Sequence, residues 1–212
     1  ARQGLAKAAK RFRTAANGLA TAECFVLLGR ASELRFDHTV ALEWYEQAIN
    51  VYEQIGDDAG MSDCCNMIGY LRFMHGDLDG AFSFFDRALR RDEESGDQLR
   101  TASGYRRIGI ILEQREELNQ ANNLYERAAD IERENGDSYA LARSLHHQAR
   151  IHAVKGRHKD ATNVLRQSLV LKEELGDDAG LSSAYHEMGN LEFRQNNMEE
   201  ALEAYEKAFE LE

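Results

Sequence analysis

The dipeptide Gly-Asp, which returns at a constant interval of 40 residues, constrains the fold more than any other feature of this sequence. It stands at residues 56–57, 96–97, 136–137 and 176–177. A fixed period of this length is typical of stacked supersecondary units that share a continuous core. Glycine adopts the left-handed conformation that ends a helix, and aspartate caps the N–H groups of the helix that follows. The pair therefore predicts a turn between two helices at four places in the chain.

The same period divides the chain into five units and a partial one. The predicted units are residues 18–57, 58–97, 98–137, 138–177 and 178–212. Residues 1–17 align with the second helix of a truncated preceding unit. A column of small residues runs through the first halves of the units: Gly29, Gly69, Gly109, Ala149 and Gly189. A column of large apolar residues runs through the second halves: Tyr45, Phe85, Tyr125, Leu165 and Tyr205. Small residues stand three or four positions either side of the large one, which is one face of a helix, so each unit is predicted to be helix–turn–helix.

The fourth unit departs most from these columns. It has Ala149 in place of glycine, Leu165 in place of an aromatic residue and Ser168 in place of alanine. We expect looser packing at this unit, or a position that is bent toward function.

The composition fits a folded, helical chain of 212 residues. Proline is absent, so long uninterrupted helices are allowed, and no apolar run approaches the roughly 20 residues that a membrane helix needs. The formal net charge of -11 argues against binding to nucleic acid or to an anionic membrane. The three cysteines form no CxxC pair, which indicates packing residues in a reducing compartment, the cytoplasm. Because the chain starts without Met and stops inside its last predicted helix, we expect a piece of a longer protein or an array capped by self-association.

The columns resemble the tetratricopeptide repeat over essentially the whole chain. The first helices carry a bulky residue and then a Leu-Gly-like pair, as in Phe25 with residues 28–29, and the second helices carry the pattern of Ala81, Phe85 and Ala88. Each unit is six residues longer than the usual repeat of about 34 and lacks its usual proline. These units resemble the longer-repeat subgroup of Pins-like adaptors and bacterial regulators. The resemblance implies an all-α, right-handed superhelical solenoid in one continuous array, acting as a non-enzymatic scaffold for protein–protein interaction.

The resemblance also implies that the first helices line a concave groove, with ligand-facing residues at fixed offsets from the small-residue column. In the middle units these offsets are basic, whereas the second helices hold acids such as Asp92 and Glu132. Arginine forks suit carboxylates, so we predict a groove for an extended peptide that is acidic or ends in a carboxylate. The predicted carboxylate contacts are Arg106, Arg107, Arg143, His146, His147 and Arg150. The predicted contacts with peptide backbone and apolar side chains are Asn66, Tyr70, Asn190 and Phe193.

Four alternatives stay open. The arginines could pair with acids on neighbouring second helices. The chain could be the sensory or regulatory segment of a larger signalling protein, or a self-assembling array. A carboxylate clamp of the Hsp70/Hsp90 type needs Lys and Asn at specific offsets, and only Asn66 and Asn190 match in type.

Catalysis has little support in the sequence. The three histidines at 146, 147 and 186, with Glu187, form a conceivable metal site, but polar histidines lining a groove is the favoured interpretation. The sequence has no HExxH motif, no glycine-rich phosphate loop and no nucleophile motif. We therefore predict no enzyme activity, cofactor or metal.

Overall fold

The computed structural model describes residues 17–211, and within them the chain is helical with no β-strand. The ten helices of this range are α1 Gly18–Glu33, α2 His38–Ile55, α3 Asp58–Met74, α4 Leu78–Ser95, α5 Gln98–Gln114, α6 Leu118–Glu134, α7 Ser138–Val154, α8 His158–Leu175, α9 Asp178–Arg194 and α10 Met198–Glu210. The predicted all-α fold of helix–turn–helix units is confirmed. The helix predicted for residues 1–17 lies outside the described residues, apart from Asn17, whose side chain caps α1.

We number the helix pairs as repeats one to five, from α1–α2 to α9–α10. The two helices of a repeat pack against each other, as α3 does on α4 and α7 on α8. The chain forms two compact units, of which the first ends at Gly104 and the second begins at Tyr105. The further prediction that all five repeats form one array stays a prediction.

The Gly-Asp pairs form the turns between repeats, as predicted. All four glycines are left-handed, with φ between 65° at Gly176 and 73° at Gly96. The aspartate that follows each glycine accepts a hydrogen bond from the backbone N–H three residues later, at 2.9 Å for Asp57 and 3.0 Å for Asp177. The same cap is present at residues 97 and 137. One dipeptide thus ends a helix and begins the next.

The turns inside the repeats have the same left-handed backbone but no fixed residue. Glycine is present at this position in repeats two and four, with φ of 77° at Gly76 and 72° at Gly156. Repeats one, three and five instead hold Phe36, Glu116 and Asn196 with φ of 60° to 66°. A side chain with a Cβ atom is strained in this conformation, so the geometry is imposed by the helices on either side.

The small-residue column gives each large apolar residue its space in the core. A Cβ atom added to Gly109 would lie 2.7 Å from the ring of Tyr125, and Gly29 and Gly69 are as close to the rings opposite them. Repeat four fills the same space differently, because Ala149 supplies a methyl group and Leu165 is smaller than an aromatic ring. Both side chains are fully buried. The expectation of looser packing in the fourth unit stays a prediction, since burial alone does not measure packing density.

The three cysteines are free and buried, as expected for packing residues. Burial raises the pKa of the Cys64 thiol to about 12, so this thiol stays protonated and unreactive. The cytoplasmic location inferred from the cysteines stays a prediction. None of the helices in residues 17–211 is both long and apolar enough to cross a membrane.

Candidate functional site

Helix α7 holds four of the predicted contact residues and contains no aspartate or glutamate. Its N-terminus is fixed by the cap at residue 137, and its apolar side packs against α6 and α8. Arg143 is exposed on the remaining surface, while His146, His147 and Arg150 are partly buried. No carboxylate within residues 17–211 lies at ion-pair distance from Arg143.

Glu113 at the end of α5 holds two of these residues in place. Its carboxylate accepts a hydrogen bond from Arg150 at 2.9 Å and from the Tyr125 hydroxyl at 3.1 Å. Nδ1 of His147 lies 3.4 Å from the same carboxylate, and the imidazole stacks on the Tyr125 ring with 4.7 Å between centroids. Burial alone would raise the pKa of Glu113, but His147 and Arg150 outweigh it and the pKa lies below its ordinary value.

The Arg106 side chain is buried in an ion pair and does not lie on an open surface. Its guanidinium bonds Glu132 of α6, and the side chains are only 11% and 1% exposed. Burial raises the pKa of Glu132, while the charge of Arg106 acts in the opposite direction. For Arg106 the alternative interpretation, pairing with an acid on a second helix, describes what the structure contains. Arg107, next on α5, is partly buried.

His146 faces a buried lysine that the sequence reasoning missed. Lys172 of α8 is 4% exposed, and its ammonium donates to the Gly180 carbonyl at 2.9 Å. It lies 3.5 Å from Nδ1 of His146. Burial and the neighbouring lysine lower the pKa of His146 to about 3, so this imidazole is neutral at physiological pH. Arg143, His146 and Lys172 line a cavity of about 300 Å³ between α7, α8 and the start of α9.

Helix α9 holds two of the predicted contacts, Asn190 and Phe193. The side chain of Asn190 accepts the Tyr205 hydroxyl at 2.9 Å and lies 3.3 Å from His186. Phe193 is 57% exposed. Phe193 is therefore available to an apolar side chain of a ligand.

Two predicted contacts belong to the first compact unit. Tyr70 is 55% exposed and lines a largely apolar cleft of about 620 Å³ together with Phe36 and Met74. Asn66 is partly buried, and within residues 17–211 its side-chain oxygen has no hydrogen-bond partner. The conceivable metal site is not assembled, because no group of three or more His, Cys, Asp or Glu side chains in the described residues could hold a metal ion.

The 40-residue period could have revealed Lys172 from sequence. Counting forward by 40 from Asp92 gives Glu132 and then Lys172, so one column changes from acid to base. All three side chains are buried. Burial was the missing information, since on an exposed helix face the same change of charge would carry little meaning.

Helix pairs in a constant register, with small residues facing aromatic rings, define a helical-repeat protein. A family model described as tetratricopeptide repeat matches residues 64–134 and 140–211. The chain belongs to the tetratricopeptide repeat family. The proposed assignment to its longer-repeat subgroup stays a prediction. Among the curated proteins, none matches the chain.

Solved structures with the same fold share little sequence with the chain. BtubC (BKLC) from P. vanneervenii is 17% identical, with a TM-score of 0.86 over 99% of this chain and 89% of that one. A putative kinesin light chain from Podosopora anserina, with nearly identical TPR-like repeats, is 14% identical, with a TM-score of 0.70 over 96% and 95%. A Rap protein complexed with competence and sporulation factor is 14% identical, with a TM-score of 0.76 over 92% of this chain. The chain spans 54% of that Rap protein's length. At these identities the likeness shows the fold alone.

Proposed function

We propose that the protein is a non-enzymatic scaffold that binds an acidic peptide segment of a partner protein along α7 and the neighbouring first helices. One observation carries the proposal: α7 has no acidic residue and presents Arg143 and Arg150 in a protein of net charge -11. The carboxylate of Glu113 neutralises part of this surface through its ion pair with Arg150. The similarity to a Rap protein complexed with competence and sporulation factor supports a role in binding a partner.

The side chains differ in what we propose they contribute. Arg143 and the 42% exposed Arg150 engage carboxylates of the peptide, because both can turn toward solvent. Arg107, His146 and His147 supply further polar contacts along the same helices. The proposed contacts with backbone and apolar groups are Asn66, Tyr70, Asn190 and Phe193. Arg106 supports α5 through Glu132 and contributes positive potential to the surface.

The test selects peptides from a displayed random library and then compares variants. We expect the selected peptides to be acidic and to bind more weakly as salt is raised. Arg143→Glu should weaken their binding at least about tenfold, since one charged hydrogen bond contributes about 1.5–3 kcal/mol.

The matched control is Arg166→Glu, because Arg166 is exposed on α8 and the change in net charge is the same. Peptides without acidic residues, or an equal loss of binding in both variants, would contradict the proposal. Circular dichroism of each variant confirms that the helices are intact.

A second candidate is the repeat segment of a larger regulator, which binds a ligand and controls an output domain. The similarity to RapI and to a Rap protein, of whose lengths this chain spans 57% and 54%, favours it. The parent polypeptide's flanking sequence discriminates, since an attached nucleotide-binding or DNA-binding domain supports the regulator. Self-association is tested by light scattering over a range of concentrations, where a constant monomer mass would exclude it.

A further inference from the structure

Repeat four buries a positive charge at a position where the two preceding repeats bury a negative one. Asp92, Glu132 and Lys172 are 40 residues apart and 3%, 0% and 4% exposed. Each of the two acids has an arginine partner: Arg100 lies 2.9 Å from Asp92, and Arg106 bonds Glu132. Within residues 17–211, no carboxylate lies at ion-pair distance from Lys172.

A buried charge is costly unless a counter-charge or several hydrogen bonds compensate it. The Lys172 ammonium has three hydrogens and one good acceptor, the Gly180 carbonyl at 2.9 Å. The second contact, to Nδ1 of His146, is long at 3.5 Å. Burial lowers the pKa of Lys172, which is the consequence expected for an ammonium with too few partners.

The ammonium borders a cavity that is open to solvent and lined in part by charged and polar side chains. The cavity of about 300 Å³ is lined by Arg143 and His146 of α7, Lys172 of α8, and Asp177 with Ser183 at and beyond the start of α9. Asp177 is the acid of the group, and one of its oxygens already accepts the Gly180 N–H at 3.0 Å. The N-terminal turn of α9 adds the positive end of its dipole.

We propose that this cavity, named here the Lys172 pocket, binds a single carboxylate group, with Lys172 and Arg143 as its cationic partners. The formal charges of Lys172, Arg143 and Asp177 leave one positive charge, which matches one carboxylate. A phosphate dianion would meet Asp177 with an excess of negative charge. The neutral His146, whose Nδ1 faces the ammonium, carries its proton on Nε2 and can donate it to the ligand.

The inference deepens the proposed function, because the carboxylate would belong to the bound peptide. Two sources have the same chemistry, an acidic side chain and the free C-terminus of the peptide. Small probes distinguish them without the need for a known partner. N-acetylglutamic acid α-amide presents the side-chain carboxylate, N-acetylalanine presents the terminal carboxylate, and N-acetylglutamine amide is the neutral control.

The experiment follows the backbone amide of Gly180 by nuclear magnetic resonance during titration at constant ionic strength. We expect saturable shifts with one of the two carboxylate probes and none with the neutral amide. Lys172→Met should weaken the binding at least about tenfold, which corresponds to the loss of one charged hydrogen bond. Asp177→Asn keeps an N-cap oxygen and removes the competing charge, so it should strengthen the binding several-fold. Arg166→Gln is the control outside the pocket and should change nothing.

Other outcomes overturn the inference. They are saturation by inorganic phosphate alone, no saturation by either carboxylate, or equal binding to the wild type and Lys172→Met. Thermal unfolding by circular dichroism shows that the methionine variant is folded, and its midpoint should rise by about 2–4 °C because a buried charge is removed.

The two proposals can fail separately. If library peptides lose affinity with Arg143→Glu but not with Lys172→Met, the Lys172 pocket is wrong and the peptide surface stands. If the probes bind the pocket but the library yields no peptide, the pocket stands and the proposed function fails.

Discussion

Repeats three and four occupy the same register, yet their buried polar pairs have opposite chemistry. In repeat three Arg106 of the first helix faces Glu132 of the second, and the pair is neutral and nearly inaccessible to solvent. In repeat four the equivalent positions hold His146 and Lys172, and within residues 17–211 no carboxylate lies at ion-pair distance from the lysine ammonium. The buried pair of repeat three is electrically neutral without a ligand. The buried charge of repeat four would be neutralised by a bound anion.

The apolar positions of the two repeats differ without any such consequence. Gly109 leaves room for the Tyr125 ring, and Ala149 and Leu165 are fully buried at the equivalent positions. Volume can be redistributed between two neighbours, because only the sum has to fit the core. Charge cannot be redistributed in this way, since each buried charge needs its own counter-charge. Repeat four therefore buries its apolar positions as repeat three does and differs from it in its buried charge.

The largest expected effect comes from breaking the pair of repeat three. Arg106→Met leaves Glu132 buried without its partner and should lower the free energy of unfolding by about 3–5 kcal/mol. Urea denaturation followed by circular dichroism measures the loss. The double variant Arg106→Met with Glu132→Met should recover most of it, because no charge is left in the core. If Arg106→Met lowers the free energy of unfolding by less than about 1 kcal/mol, Glu132 reaches solvent or is protonated at little cost in free energy.

A second prediction transfers the packing of repeat four to repeat three. Gly109→Ala alone places a methyl group against the Tyr125 ring and should cost up to about 3 kcal/mol of unfolding free energy. Adding Tyr125→Leu reproduces the pair of repeat four and should recover at least about 1 kcal/mol, a coupling typical of residues in contact. A double-mutant cycle in urea gives this coupling. If the free-energy costs of Gly109→Ala and Tyr125→Leu simply add, the residues at these two positions are not energetically coupled.

Much of the fold could be predicted from sequence, because its determinants are local and repeat. The Gly-Asp turns, the caps at Asp57 and Asp177, and the small residue facing a large one all follow from spacing in the chain. The inner turns were harder to predict. Phe36 and Glu116 have no local preference for a left-handed backbone, and the packing of the flanking helices imposes it.

The candidate site was predicted less completely, for a physical reason. Sequence offsets selected Arg106 and Arg143 alike, but only contacts across helices show that one faces a carboxylate and the other does not. Lys172 and Glu113 were missed because they lie outside the columns that the family places toward a ligand. Their importance depends on burial and on neighbours that are about 26 to 37 residues away.

The third prediction concerns the pH dependence that repeat four adds. His146 has a folded-state pKa of about 3 against an ordinary value of 6.5, so the unfolded chain binds a proton that the folded chain does not. Stability is therefore lost as pH falls below about 6.5, by up to about 2 kcal/mol between pH 7 and pH 5. Lys172, His147 and Arg150 oppose protonation of this imidazole, and Glu113 favours it.

His146→Gln keeps a hydrogen-bond acceptor and removes the titration, so the variant should lose less stability than the wild type over this range. Urea denaturation at pH 7, 6 and 5 gives the difference. The range stays above the ordinary pKa of the carboxylates, which limits their contribution. Identical pH profiles for the two proteins would contradict the burial of His146 beside a charged lysine.

The smallest expected effect comes from exchanging the left-handed residues at the inner turns of repeats three and four. Glu116 has φ of 62° and Gly156 has φ of 72°, so both have the same left-handed conformation with and without a Cβ atom. Glu116→Gly removes the strain of about 1–2 kcal/mol but makes the unfolded chain more flexible, which leaves a net gain of about 0.5–1 kcal/mol. Gly156→Glu should lose a similar amount. Shifts of the urea midpoint in opposite directions would establish that the flanking helices fix the backbone of the turn, whichever residue is present. Shifts in the same direction would mean that the Glu116 side chain, or the space around Gly156, also contributes to stability.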